Sequence, residues 1–119
     1  MASLGPNVKL HLPERERASF NRVMTEVFGA TVLTPSENTD IYVLEGTRVG
    51  VEVVSDAAAL DPRDARTKGT WFEILVDDTA ATRAALATRG LTPFPYADKI
   101  HDYFQLPGGQ ALRIAGRSG

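Results

Sequence analysis

Apolar and polar positions alternate near the start of the chain, where Val8, Leu10 and Leu12 interleave with Asn7, Lys9 and His11. A period of two is that of a half-buried strand. Pro13 then suits the first turn of a helix, where its missing N–H is not needed. Over residues 14–28 the period lengthens. Phe20, Val23, Met24, Val27 and Phe28 fall at i, i+3, i+4, i+7 and i+8, the stripe of an amphipathic helix. Gly29 stands where a left-handed C-cap is expected. Three strands are predicted next, over residues 30–33, 41–44 and 49–54. Turn formers fill 35–40, and Glu45-Gly46-Thr47 reads as a hairpin turn. Residues 57–69 break the pattern with Asp61-Pro62 and several charges, so they read as a solvated loop joining two halves.

The second half starts over. A strand is predicted over residues 71–76, with Phe72, Ile74 and Val76 on one face. Asp77 or Asp78 can cap a helix running to about Arg89, and Gly90 stops it. Residues 91–96 are strand-like, but Pro93 and Pro95 cannot donate ladder bonds, which places them at an edge. Strands over 99–106 and 111–114 are joined by Pro107-Gly108-Gly109-Gln110. Gly29 and Gly90, Tyr42 and Tyr103, and Glu52 and Arg113 are each 61 residues apart. Both halves therefore read β-α-β-β-β, and each is too small to bury both faces of its own sheet. The expectation is an α+β fold: one domain over 1–119, with modules at about 7–55 and 70–115 and a junction at 56–69.

Composition narrows the chemistry. The 119 residues contain no cysteine, which removes disulfides, thiolate metal sites and cysteine nucleophiles together. A formal charge of −2 gives no basic footprint for nucleic acid. No apolar run approaches the ~20 residues of a spanning helix, and residues 1–6 do not read as a signal peptide. A cytoplasmic protein with neither nucleic-acid nor membrane partner is expected. No strand–turn–helix elbow surrounds a serine, and neither a phosphate loop nor a His-Glu-x-x-His helix occurs. His101-Asp102, neighbours on a predicted strand, would point to opposite faces and so not pair.

Three segments in this order resemble the vicinal oxygen chelate superfamily of glyoxalase I, bleomycin-resistance proteins, fosfomycin-resistance proteins and extradiol dioxygenases. They are Val23-Met24-Thr25-Glu26-Val27-Phe28-Gly29-Ala30, Val76-Asp77-Asp78 before an alanine-rich helix, and Leu106-Pro107-Gly108-Gly109-Gln110-Ala111-Leu112. The likeness covers roughly residues 7–115, with Val23-Met24 replacing the family's Phe-Tyr pair. It implies paired βαβββ modules whose four-stranded sheets curl around a pocket, the glyoxalase/bleomycin-resistance-like fold, and a homodimer. In the family's metal enzymes, one ligand lies on the first strand and one on the last strand of each module.

Mapped here, the last-strand positions are Glu52 and Arg113. The first-strand positions are Lys9, or His11 with a register shift, and Trp71. A guanidinium cannot ligate, and a catalytic metal normally takes three protein groups. The expectation is a protein without cofactor or catalytic metal that sequesters an aromatic or polycyclic small molecule, like the drug-binding resistance members. Its ligand-binding residues would be Lys9, His11, Glu52, Trp71, Glu73, Tyr103 and Arg113, with Glu52 and Glu73 paired to Arg113 and Lys9. Two enzymatic alternatives stay open. One is a divalent-metal lyase, isomerase or dioxygenase using His11, Glu52 and Glu73; the other is a metal-free enzyme with a glutamate base and Arg113 facing an anion.

Overall fold

A computed structural model describes residue 2 and residues 4–117, with the backbone alone at residues 67 and 68. Met1 and Ser3, part of the segment weighed as a leader, lie outside the described residues. The chain divides into two compact units, Met1–Ala59 and Leu60–Gly119.

In the first unit, β1 (Asn7–Pro13), β2 (Thr31–Ser36), β3 (Thr39–Leu44) and β4 (Thr47–Val54) form one sheet in the order β1-β4-β3-β2. The β1–β4 pair is parallel and the others antiparallel, so the sheet is mixed. Alternation sends Leu10, Leu12, Tyr42, Val49, Val51 and Val53 to one face, and all are buried. Phe20, Val23 and Met24 are the buried residues of the helical segment, and Phe20 meets Tyr42 edge-on at 5.4 Å.

That segment spans the stretch its periodicity predicts but winds in three ways. A 3-10 turn (Glu14–Glu16) leads into α1 (Arg17–Arg22), which widens into a π turn (Val23–Val27). The Thr25 hydroxyl donates to the Asn21 carbonyl at 2.8 Å, occupying an acceptor of the preceding turn. Phe28 N–H reaches the Val23 carbonyl, five residues back. Gly29, at φ 70°, ends the run as expected. The buried charge of this unit is satisfied locally. Arg17 donates to both Asp40 oxygens at 2.9 Å, and Thr34 adds a third bond.

In the second unit, β5 (Phe72–Val76), β6 (Asp102–Gln105) and β7 (Ala111–Gly116) form a sheet in the order β5-β7-β6. Between β5 and β6 comes α3 (Thr79–Ala87), capped by the Asp78 side chain accepting from Ala81 N–H. A fourth strand is absent among the described residues. Residues 91–96 contribute only an isolated bridge, from Phe94 N–H to the Tyr103 carbonyl, because Pro93 and Pro95 on either side have no donor. The junction is not a loop throughout. Asp61 caps and Pro62 opens α2 (Pro62–Lys68), a start signal carried by the Asp-Pro pair itself. Gln105 ties α2 down, donating to the carbonyls of Pro62 and Gly109. A Cβ on Gly109, whose φ is 101°, would lie 2.9 Å from Pro62 Cα, so only glycine fits this contact.

The repeat holds for the parallel pairs, with offsets of 62 from His11 to Glu73 and 61 from Glu52 to Arg113, and fails for one residue. His11 pairs with Glu52, and Glu73 pairs with Arg113. Displacing the Tyr42–Val49 pair by 61 would set Tyr103 opposite Gln110, yet it lies opposite Arg113, three residues on. The longer turn at residues 107–110 takes up the difference. An odd shift reverses the face, so Tyr42 packs beneath its helix while Tyr103 faces the other way. Their spacing of 61 is a coincidence and not an equivalence.

Candidate functional site

The sheet face turned away from the helix carries the candidate chemistry in each unit. On the first unit it presents Lys9, His11, Arg48, Gly50 and Glu52. Lys9 Nζ lies 2.9 Å and His11 Nε2 3.2 Å from the same oxygen of Glu52. These side chains are half exposed, and the ammonium of Lys9 is the main reason the Glu52 carboxyl sits below its ordinary range. Lys9 pairs with Gly50, so His11, two residues further, stands beside Glu52.

On the second unit, Trp71, Glu73, Tyr103 and Arg113 come together. Arg113 is held from three sides. Its Nε and NH2 bond Glu73 at 2.7 and 2.6 Å, and its guanidinium carbon lies 4.8 Å from the centre of the Trp71 ring. Its NH1 faces Tyr103 Oη and Asp98 at 3.4 Å each. The acidic and basic groups do pair, but Glu52 takes Lys9 and Glu73 takes Arg113, each on the adjacent strand of its own unit, in place of the expected Glu52–Arg113 and Glu73–Lys9.

Around Arg113 the aromatic residues form one cluster. Tyr103 stacks on Tyr96 at 4.4 Å and meets Trp71 edge-on at 5.4 Å, and the Trp71 indole N–H donates to Tyr96 Oη at 3.2 Å. Phe94 packs against both tyrosines and carries the Arg66 guanidinium at 5.0 Å. Tyr103 is buried, which raises its phenol pKa, whereas Trp71 and Tyr96 keep open surface.

Asp98 is the residue that sequence reasoning missed. It accepts from Ile100 N–H at 2.8 Å, from the His101 ring at 2.7 Å and from Tyr103 Oη at 3.0 Å. These bonds, the Ile100 N–H first, hold its carboxyl far below the usual carboxylate range. The available signal was an Asx turn, Asp98-Lys99-Ile100, in a segment without periodicity. His101 is half-buried against Asp98 and lies outside the strand predicted to hold it, because β6 begins only at Asp102.

The donor set does not fit a resident catalytic metal. His11 and Glu52 supply two donors, the Glu73 carboxylate is taken by Arg113, and Arg113 offers none. No group of three histidine or acidic side chains able to hold an ion occurs among the described residues.

No family model and no curated protein matches the sequence. Solved structures do. An integron cassette protein from the mobile metagenome of V. cholerae superposes with a TM-score of 0.70 at 10% identity, over 98% of this chain and 97% of its own. A possible glyoxalase from Bacillus cereus gives 0.68 at 13% identity, over 95% and 98%. A variant of the fosfomycin resistance protein FosX from Listeria monocytogenes, complexed with Mn(II) and 1S,2S-dihydroxypropylphosphonic acid, gives 0.69 at 11% identity, over 96% and 90%. At these identities the likeness concerns the backbone. The chain thus has the glyoxalase/bleomycin-resistance-like fold of these structures.

Proposed function

We propose that this protein binds a flat aromatic small molecule without transforming it, against the open surface of Trp71 and Tyr96 in the second unit. The observation that carries this reading is Arg113. At a last-strand position where the family's metal enzymes place a ligand stands a cation, and it stiffens an aromatic surface in place of an ion. Glu73 and Asp98 more than balance its charge, so the site favours cationic or neutral aromatic ligands over anionic ones. Stacking supplies affinity, and the polar groups around the rings orient the ligand. Sequestration of an aromatic drug, by a cytoplasmic homodimer, is the form of antibiotic resistance that fits. Sedimentation tests the dimer.

Trp71 is the single tryptophan of the chain, so its fluorescence reports directly on the site. Saturable quenching by proflavine or naphthol, weaker by at least tenfold for naphthoate and lost in Arg113→Ala, is expected. Absence of quenching across such a panel would remove the reading. The metal-enzyme alternative is favoured by one observation, the His11–Glu52 pair. It requires that manganese or zinc raise the unfolding temperature and that Glu52→Ala abolish the rise.

A further inference from the structure

The helix-free face of the first unit holds a shallow hollow of about 330 Å³ lined by Asn7, Val8, Lys9, Ile41, Arg48 and Gly50. Its only charged lining residues are the two cations, Lys9 and Arg48. Gly50 forms its floor, paired with Lys9 on one side and Ile41 on the other. The backbone of Gly50 is ordinary extended strand, which any residue adopts. A Cβ there would meet only the Val8 carbonyl, at an unstrained 3.7 Å. Glycine inside a strand costs roughly 0.5–1 kcal/mol relative to alanine, and here neither a turn nor a close backbone approach repays that cost. What the missing side chain provides is space between two cations.

We infer that this hollow is a subsite for an oxyanion, a carboxylate or phosphate on a small organic ligand. The Arg48 fork offers paired donors to such a group, and Lys9 adds a point charge. The Glu52 carboxylate already bonds Lys9, but an exposed pair of this kind is worth only ~0–1 kcal/mol and yields to a competing anion. Ile41, opposite Gly50, supplies apolar wall for a ring or short chain carrying the anion, and Val8 borders the hollow with its backbone. The inference is independent of the reading at Trp71, whose surroundings carry the opposite excess charge.

The test follows backbone amide shifts of the whole chain on titration with benzoate and with phenyl phosphate, using benzyl alcohol and inorganic phosphate as controls. Saturable shifts at Val8, Ile41 and Gly50 are expected for both organic anions, with binding at least tenfold weaker for benzyl alcohol. Shifts from inorganic phosphate alone would mark a site for free ions and overturn the organic part of the claim. Arg48→Gln should weaken benzoate about tenfold. Gly50→Val, a good strand former, should abolish the shifts at Val8 and Ile41 while leaving the unfolding midpoint unchanged or higher. Undiminished benzoate binding by Gly50→Val, or shifts confined to other residues, would refute the subsite. Trp71 fluorescence, read in parallel, decides the proposed function separately.

Discussion

In the first unit His11 stands beside Glu52, and Lys9 reaches the same carboxylate; in the second Glu73 stands beside Arg113, beneath a layer of aromatic rings. The backbones repeat, yet the helix-free faces carry different chemistry. The first is open and faintly cationic around Gly50. The second is filled by its own tryptophan and tyrosines and has a net acidic ring of partners. The location of buried charge differs as well. In the first unit it lies beneath the sheet, in the Arg17–Asp40 pair, where Asp40 is only 4% exposed. In the second, Arg113, Glu73 and Asp98 all keep some contact with solvent. A duplicated frame thus leaves each face free to change, provided each core keeps its own apolar pattern.

The largest effect expected from this contrast is on stability. Asp40→Ala removes two bonds from Arg17 and one from Thr34 and should cost about 2 kcal/mol in urea unfolding, at ~1 kcal/mol or less for each hydrogen bond lost. Glu73→Gln, in the second unit, should cost less than about 1 kcal/mol because the amide oxygen it introduces can still accept from Arg113 and the carboxylate it replaces is partly exposed. Equal losses would show that the two units share their electrostatics after all.

Next in size is Tyr103→Phe. It keeps the stacked rings and removes one hydroxyl bond to Asp98, so a loss of about 1 kcal/mol is expected, with Trp71 emission little changed. The Asp98 carboxyl should then titrate higher than in the parent protein but still below ~3.9, the ordinary aspartate value, because the Ile100 N–H remains its strongest partner.

The smallest effect is the pH dependence itself. A carboxyl whose pKa is lowered by folding adds stability above its unfolded value and loses that contribution as pH falls through its folded value. Carbon NMR of Asp98 should therefore show a midpoint below the ordinary range. A midpoint near 3.9 would mean that the Asp98 cluster does not form.

Most of the frame was legible from spacing. The stripe at Phe20, Val23, Met24 and the alternation through β1, β4 and β5 report burial directly, and Gly29 and Gly90 mark helix ends at positive φ. Pairing between strands was less so. The face of Tyr103 depends on three extra residues of register in a hairpin, which no local pattern records. Asp98 gathers its partners through an irregular segment fixed by tertiary contacts. At α2, charge density outweighed the Asp61-Pro62 start signal, so a short exposed helix read as a loop. The hollow over Gly50 was invisible for a simpler reason: an absent side chain has meaning only once its neighbours are placed.

The Trp71–Arg113 surface is proposed to hold an aromatic ligand and to leave it unchanged. The most direct test is to incubate the protein with a quenching aromatic and excess manganese, then weigh the recovered ligand by mass spectrometry. Saturation of Trp71 quenching with and without the metal, and recovery of the ligand at its original mass, are expected. Quenching that requires the metal, or a product of altered mass, would contradict the proposal.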